Sequence, residues 1–308
     1  MTRSPATPRI TASPRPVPQA PPSPAVPQAG GVLAGRVPAV LAVAAVVTQI
    51  THPLLAGDAL RAATGGAVLL FVAASLAHAT VTLGGRAAAR VLLVAGGLGW
   101  VAEAVGVATG VPFGTYRYAG TLGPQVAGVP VLVPLAWTMM AYPCLLLGRR
   151  LAAGDAPRAR AAAVGLGALT LAAWDLYLDP QMVGAGHWTW SRPEPALPGV
   201  PGVPLTNYAG WLLVALVIVA ALDRTLPRDG SPAAAGRRLP AAPALLLGWT
   251  WLGSGLGNLA FFDRPAVAAY GLVGMGATVL PYLRAAAADR ADLADRADLA
   301  DRTPGGPR

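Results

Sequence analysis

The sequence predicts an all-α fold, a polytopic membrane helix bundle of about eight transmembrane helices with both termini cytoplasmic. Composition is the first reason. Hydrophobic residues make up 54% of the chain and charged residues 12%, about half the roughly 25% charged share of a soluble domain. Segment length is the second. Apolar runs cover about 37–55, 62–82, 91–109, 129–148, 160–179, 208–222, 241–262 and 266–283, most of them near the ~20 residues that a bilayer requires. The arginines supply the third. With eight spans, the amino terminus, the even-numbered loops and the carboxy terminus share one side, which holds nineteen of the 23 basic residues. The other side holds only Arg61, Arg117, Arg192 and Arg264. Basic residues concentrate on the cytoplasmic side, so the sparse side is expected to face outward.

The bundle is expected over residues 36–284, between two tails. Residues 1–35 are rich in Pro, Ala and Ser, cannot bury a core, and read as a disordered tail. A secretory signal fits poorly, because the first apolar run begins late and further spans follow. Residues 285–308 repeat D-R-A-D-L-A, which matches no heptad and reads as a low-complexity, solvated appendage. A single cysteine, Cys144, excludes an internal disulfide and any multi-cysteine metal site. The net charge of +9 is spread between hydrophobic spans, so a nucleic-acid partner is not expected.

Chemistry concentrates in W-D-L-Y-L-D-P-Q-M-V-G-A-G-H-W-T-W, from Trp174 to Trp190. Asp175 and Asp179 stand four apart, on one helix face, with side chains about 6 Å apart. Pro180 predicts that the helix closes at Asp179. A charge within a span costs roughly 2.5–3.5 kcal/mol on insertion scales, so two carboxylates there point to a working site. Helix-end aspartates wetted at an interface are the plainer alternative. The expected topology puts Asp175 and Asp179 in the outer third of the fifth span and Glu103 about two turns from the outer end of the third. It also puts His52 at the outer end of the first span and Asn258 near that of the seventh. Outer loops 110–128 and 180–207 carry Tyr116, Arg117, Tyr118, His187, Trp188 and Trp190 to the same depth. One interfacial aromatic is ordinarily part of a belt. Convergence with three carboxyls marks a site, expected near the outer leaflet of the cell membrane.

Other chemistries fit poorly. His52, His78 and His187 are far apart in sequence, and His78 is expected at the inner end of the second span, so no metal site is expected. There is no phosphate loop. The G-x-G patterns at Gly165–Gly167 and Gly274–Gly276 lie within spans, where small residues serve helix contact. No serine occupies a G-x-S-x-G elbow, and Ser254 reads as a packing residue. D-x-x-x-D at Asp175 and Asp179 resembles the magnesium-binding aspartates of membrane prenyltransferases, but their second aspartate-rich motif is missing. Acid chemistry on a lipid-dissolved substrate remains. Close carboxyls in a low dielectric resist simultaneous ionisation, so one is expected to stay protonated near neutral pH. A neutral acid can protonate an electron-rich alkene. Facing aromatic rings would then stabilise the tertiary cation, and water would capture it.

Three motifs carry a family resemblance. E-A-V-G-V-A-T-G-V-P-F-G-T-Y-R-Y (Glu103–Tyr118), D-L-Y-L-D-P-Q-M-V with H-W-T-W (Asp175–Trp190), and G-V-P-L-T-N-Y-A-G-W (Gly202–Trp211) resemble the carotenoid biosynthesis family of membrane hydratases. This is the family of carotenoid 1,2-hydratases and bisanhydrobacterioruberin hydratase. The resemblance covers about 90–283. It implies cofactor-free addition of water to the terminal double bond of an acyclic carotenoid end, giving a tertiary alcohol. Catalysis is then expected from Asp175, Asp179 and Glu103, as equal candidates for the acid. Substrate contacts are expected from Tyr116, Tyr118, Trp137, His187, Trp188, Trp190, Asn207 and Trp211. The partners implied are the carotenoid, water, the lipid bilayer and other carotenoid-biosynthesis enzymes. P-G-V-P-G-V-P-L before Asn207 departs from the family pattern, where an aromatic pair is expected, and bears on end-group preference. A substrate–proton transporter and a non-catalytic scaffold for carotenoid enzymes stay open beside the hydratase.

Overall fold

The computed structural model describes residues 29–228 and 241–302. The expected amino-terminal tail therefore lies, over residues 1–28, outside the described residues. Helices α1 (Ala29–Thr51) and α2 (Gly57–Leu83) are followed by α3 (Gly85–Val91) and α4 (Gly97–Thr109), joined by the π turn Leu92–Gly96. Then come α5 (Leu132–Leu151), α6 (Pro157–Gly184), α7 (Leu205–Thr225), α8 (Ala241–Ala260) and α9 (Pro265–Arg302). The stretch Gly85–Thr109 acts as one rod. Among the described residues, seven helices are long and apolar enough to cross a membrane. The remaining one, α8, has 20 residues, and Trp249, Thr250, Trp251, Ser254 and Asn258 dilute its apolar character. Helices suit this solvent because they satisfy every backbone group internally. The chain is a multi-pass membrane protein.

At the centre stands α6, which packs against α5, α7 and α9. Glycine makes the first of these contacts possible: a Cβ on Gly148 of α5 would strike the Ala163 carbonyl of α6. Phe71, Trp137, Tyr142, Leu145, Leu171 and Ile218 are fully buried between the helices. Val40, Val47, Leu93, Leu256 and Val273 are exposed on the outer faces. So much exposed apolar surface suits a lipid solvent and not water.

The two ends of the bundle differ. One carries an arginine cluster, where Arg149, Arg160 and Arg228 close on the buried Asp223 at 2.9, 3.1 and 2.6 Å. Arg150 also pairs with Asp289 there, at 2.8 Å. Three small antiparallel ladders cross the other end: β1 (Tyr116–Tyr118) with β4 (Trp188–Trp190), β2 (Gln125–Val126) with β3 (Val129–Pro130), and β5 (Ala196–Leu197) with β6 (Val200–Pro204). We call this the lid end.

One boundary departs from expectation. Helix α6 does not close at Asp179 but runs through Pro180 to Gly184. Proline removes a single donor, and within a bundle neighbouring groups make that loss tolerable. The extra turn ends where Ala185, Gly186 and His187 donate to the carbonyls of Gln181, Val183 and Met182. That turn sets the direction in which β4 leaves the helix.

Candidate active site

Strand geometry aims the lid aromatics. Successive side chains on a strand point to opposite faces. In β1, Tyr116 and Tyr118 therefore share the face opposite to exposed Arg117, and in β4 Trp188 and Trp190 share the face opposite to exposed Thr189. The register places Tyr116 against Trp190 and Tyr118 against Trp188. Their rings meet at 5.6 Å, stacked, and 5.5 Å, edge to face. The ladder is an aromatic plate lying on the ends of α4 and α6.

Beneath the plate sit three buried carboxyls in two groups. Glu103 of α4 accepts from the hydroxyls of Tyr116 and Tyr118, the latter at 2.8 Å, and from the Trp137 indole N–H of α5 at 3.0 Å. Asp175 and Asp179 form the second group. The Asn207 amide of α7 donates to both, at 2.8 Å to Asp175. The Trp188 indole donates to Asp179 at 3.0 Å. Asp175 Oδ1, Asn207 Oδ1 and the Tyr208 hydroxyl are buried without a protein partner. Groups in that state ordinarily hold water or a shared proton.

These residues surround a cavity of about 100 Å³. Of the residues expected from the sequence, Glu103, Asp179, Tyr116, Tyr118, Trp137, Trp188, Trp190, Asn207 and Trp211 line it. Asp175 stands behind Asp179. His187 is not brought to the cavity. It bonds Thr121 at 2.7 Å, and burial, followed by nearby His52, lowers its pKa below the usual histidine value. His78 is likewise elsewhere, bonded to Tyr142 between α2 and α5. Glu103 reaches the same cavity as Asp179, but its hydrogen-bond partners are the lid tyrosines and Trp137. The reason is the β1–β4 ladder, which folds the 110–131 loop back over α4.

Further wall residues escaped the sequence reading. Trp174, Leu178 and Met182 line the cavity with Phe113 and Met139. The first three are spaced i, i+4, i+8, one residue ahead of the aspartate pair, so the helical repeat that singled out the carboxyls could have found them. Trp174 meets Trp211 edge to face at 5.8 Å, and Trp211 stacks on Trp137 at 4.0 Å. Phe113 leaves no comparable signal. The result is an apolar, aromatic chamber with acid groups on two helices. It can hold a hydrocarbon end group against a proton donor.

A helical bundle that brings two buried carboxyls, Glu103 and Asp179, to an aromatic chamber beneath a strand lid defines a multi-pass membrane protein with an internal cavity. The chain belongs to the carotenoid biosynthesis protein family, whose model matches residues 63–279. Bisanhydrobacterioruberin hydratase of Haloarcula japonica is 36% identical over 150 residues, covering 47% of this chain and 46% of that protein. The match thus spans about half the length of this curated relative. No solved structure matches.

Proposed function

We propose that this chain is a membrane carotenoid hydratase that adds water to the terminal 1,2 double bond of an acyclic carotenoid end, giving a tertiary alcohol. One observation carries the proposal: Asp179 and Glu103 reach the same aromatic cavity from two different helices. The name of the Haloarcula japonica relative supports it.

Asp175 and Asp179 act as a pair sharing one proton, since adjacent carboxyls do not readily ionise together. Asp179, on the cavity wall, is the acid. Its O–H bond breaks as the alkene π electrons form a new C–H bond, leaving a tertiary cation on the adjacent carbon. Glu103, with three donors aimed at it, is the fixed anion facing that charge. The indole faces of Trp137, Trp174 and Trp211 add to its stabilisation, since cation–π contacts away from water reach about 2 kcal/mol. The oxygen of a water molecule bonds the cation and gives a proton back to the aspartate pair. Atoms balance, and the acid is regenerated.

The substrate fits the surroundings. An acyclic carotenoid is an apolar rod comparable in length to the roughly 30 Å hydrocarbon core. Standing across the bilayer, it presents one end beneath the lid, and its new hydroxyl rests at the interface. With the arginine-rich end cytoplasmic, that interface belongs to the outer leaflet. The test is expression in cells that accumulate an acyclic carotenoid, with pigment masses measured. A gain of one water per modified end is expected. Pigments unchanged in mass, with the protein in the membrane, would defeat the proposal.

A further inference from the structure

Beside the cavity lies a second chamber, of about 170 Å³, between α1, α2, α6 and α8. Its polar lining includes Gln49, His52, Gln181, Thr250, Ser254 and Asn258. Two of these carry orphan atoms. Thr250 Oγ1 and Asn258 Oδ1 are buried without a protein partner, and their residues are 4% and 1% exposed. Asn258 is held in place by its side-chain amide N–H, which donates to Ser254 O at 2.9 Å, and by its backbone carbonyl, which accepts from Arg264 N at 2.8 Å. Buried polar atoms are nearly always hydrogen-bonded, to ordered water where no protein group reaches them. The chamber exceeds the 10–15 Å³ or so that one water needs by about tenfold.

Its position gives it a use. Thr64, Val68, Met139, Trp174, Leu178 and Met182 line both this chamber and the cavity beneath the lid. Thr64 is the polar member of that wall, bonded to His52 at 3.1 Å on the chamber side. Met139 and Met182 are unbranched and yield readily. The catalytic cavity itself is apolar, as a carbocation requires. Water kept in a separate chamber can be admitted after the cation has formed.

We propose that the α1–α2–α6–α8 chamber is the water reservoir of the hydration reaction, with Asn258 and Thr250 holding the water and Thr64 passing it to the cavity. This role rests on the hydratase reading above. These are positioning residues. Asn258 and Thr250 lie outside the catalytic cavity, so their loss leaves protonation intact and removes capture. A cation left without water gives a proton back to the aspartate pair from a neighbouring methyl group. In heavy water this returns an alkene isomer carrying deuterium and no added oxygen.

The experiment uses purified full-length protein in vesicles, an acyclic carotenoid and heavy water. It measures hydrated product and deuterium in the unhydrated pigment. Thr250→Val and Asn258→Leu should each lower hydration by about tenfold, the loss expected from one hydrogen bond. Deuterium in the unhydrated alkene should persist or rise, and Asn258→Gln should recover part of the hydration. Normal hydration in both variants would overturn the reservoir. So would a parallel fall in hydration and deuterium incorporation, which marks a structural role. A variant that fails to insert leaves the other to decide. A parent that never hydrates refutes the hydratase reading itself, a separate outcome.

Discussion

At the residue scale, Asp179 and Asp175 differ in what they can touch. Asp179 faces the cavity, whereas Asp175 meets it only through Asp179 and Asn207. Asp179→Asn should lower hydration by about 10²-fold or more, the usual worth of a general acid, while membrane insertion is kept. Comparable hydration by Asp179→Asn and the parent would move the acid elsewhere. Tyr116 and Tyr118 offer a pH test. Burial, then the Glu103 carboxyl, raises both hydroxyls well above the usual phenol range. A group raised in this way stays protonated up to its shifted value, so both remain donors through neutral and alkaline pH. Tyr116→Phe should therefore slow hydration without moving the alkaline limb of the pH profile; a moved limb would mean that the phenol itself titrates in the reaction. The three carboxyls were legible in the sequence because charge within apolar spans is costly. The hydrogen bonds to Glu103 were not, because they depend on a loop folding back over its own helix.

At the element scale, two glycines separate packing from chemistry. A Cβ on Gly106 of α4 would come within 2.8 Å of Phe113 and 2.9 Å of the Tyr116 hydroxyl. Gly106→Ala should push the lid off Glu103 and reduce hydration, with the helices still inserted. Gly148→Ala should do the reverse. Its Cβ meets backbone of α6, which cannot yield as a side chain does, so unfolding in detergent should become easier by about 1–3 kcal/mol. An unfolding transition left in place would mean that α5 and α6 separate at little cost. Long apolar runs announced the helices, with most edges off by a few residues: α7 spans Leu205–Thr225 where 208–222 was expected, while α1 begins at Ala29 instead of 37 and α9 runs on to Arg302 instead of 283. The ladders were not announced. Strands of two to five residues are too short to show an alternating pattern. Yet it is one of these, β1 with β4, that roofs the site.

At the scale of the whole molecule, both the arginine asymmetry and the placing of the site depend on orientation. Reporter fusions after Arg150 and Arg228 should sit in the cytoplasm, and fusions near Gly120 and Glu194 outside. The reverse pattern would put the lid at the inner leaflet. The central claim is that this bundle uses its buried carboxyls to add water to a hydrocarbon. The most direct measurement reconstitutes purified parent and Asp179→Asn in vesicles with an acyclic carotenoid and heavy-oxygen water, and follows product mass. The parent should yield a tertiary alcohol with one labelled oxygen per modified end, and Asp179→Asn about a hundredth of it or less. Unlabelled pigment from the parent, or equal label from both proteins, would contradict the claim.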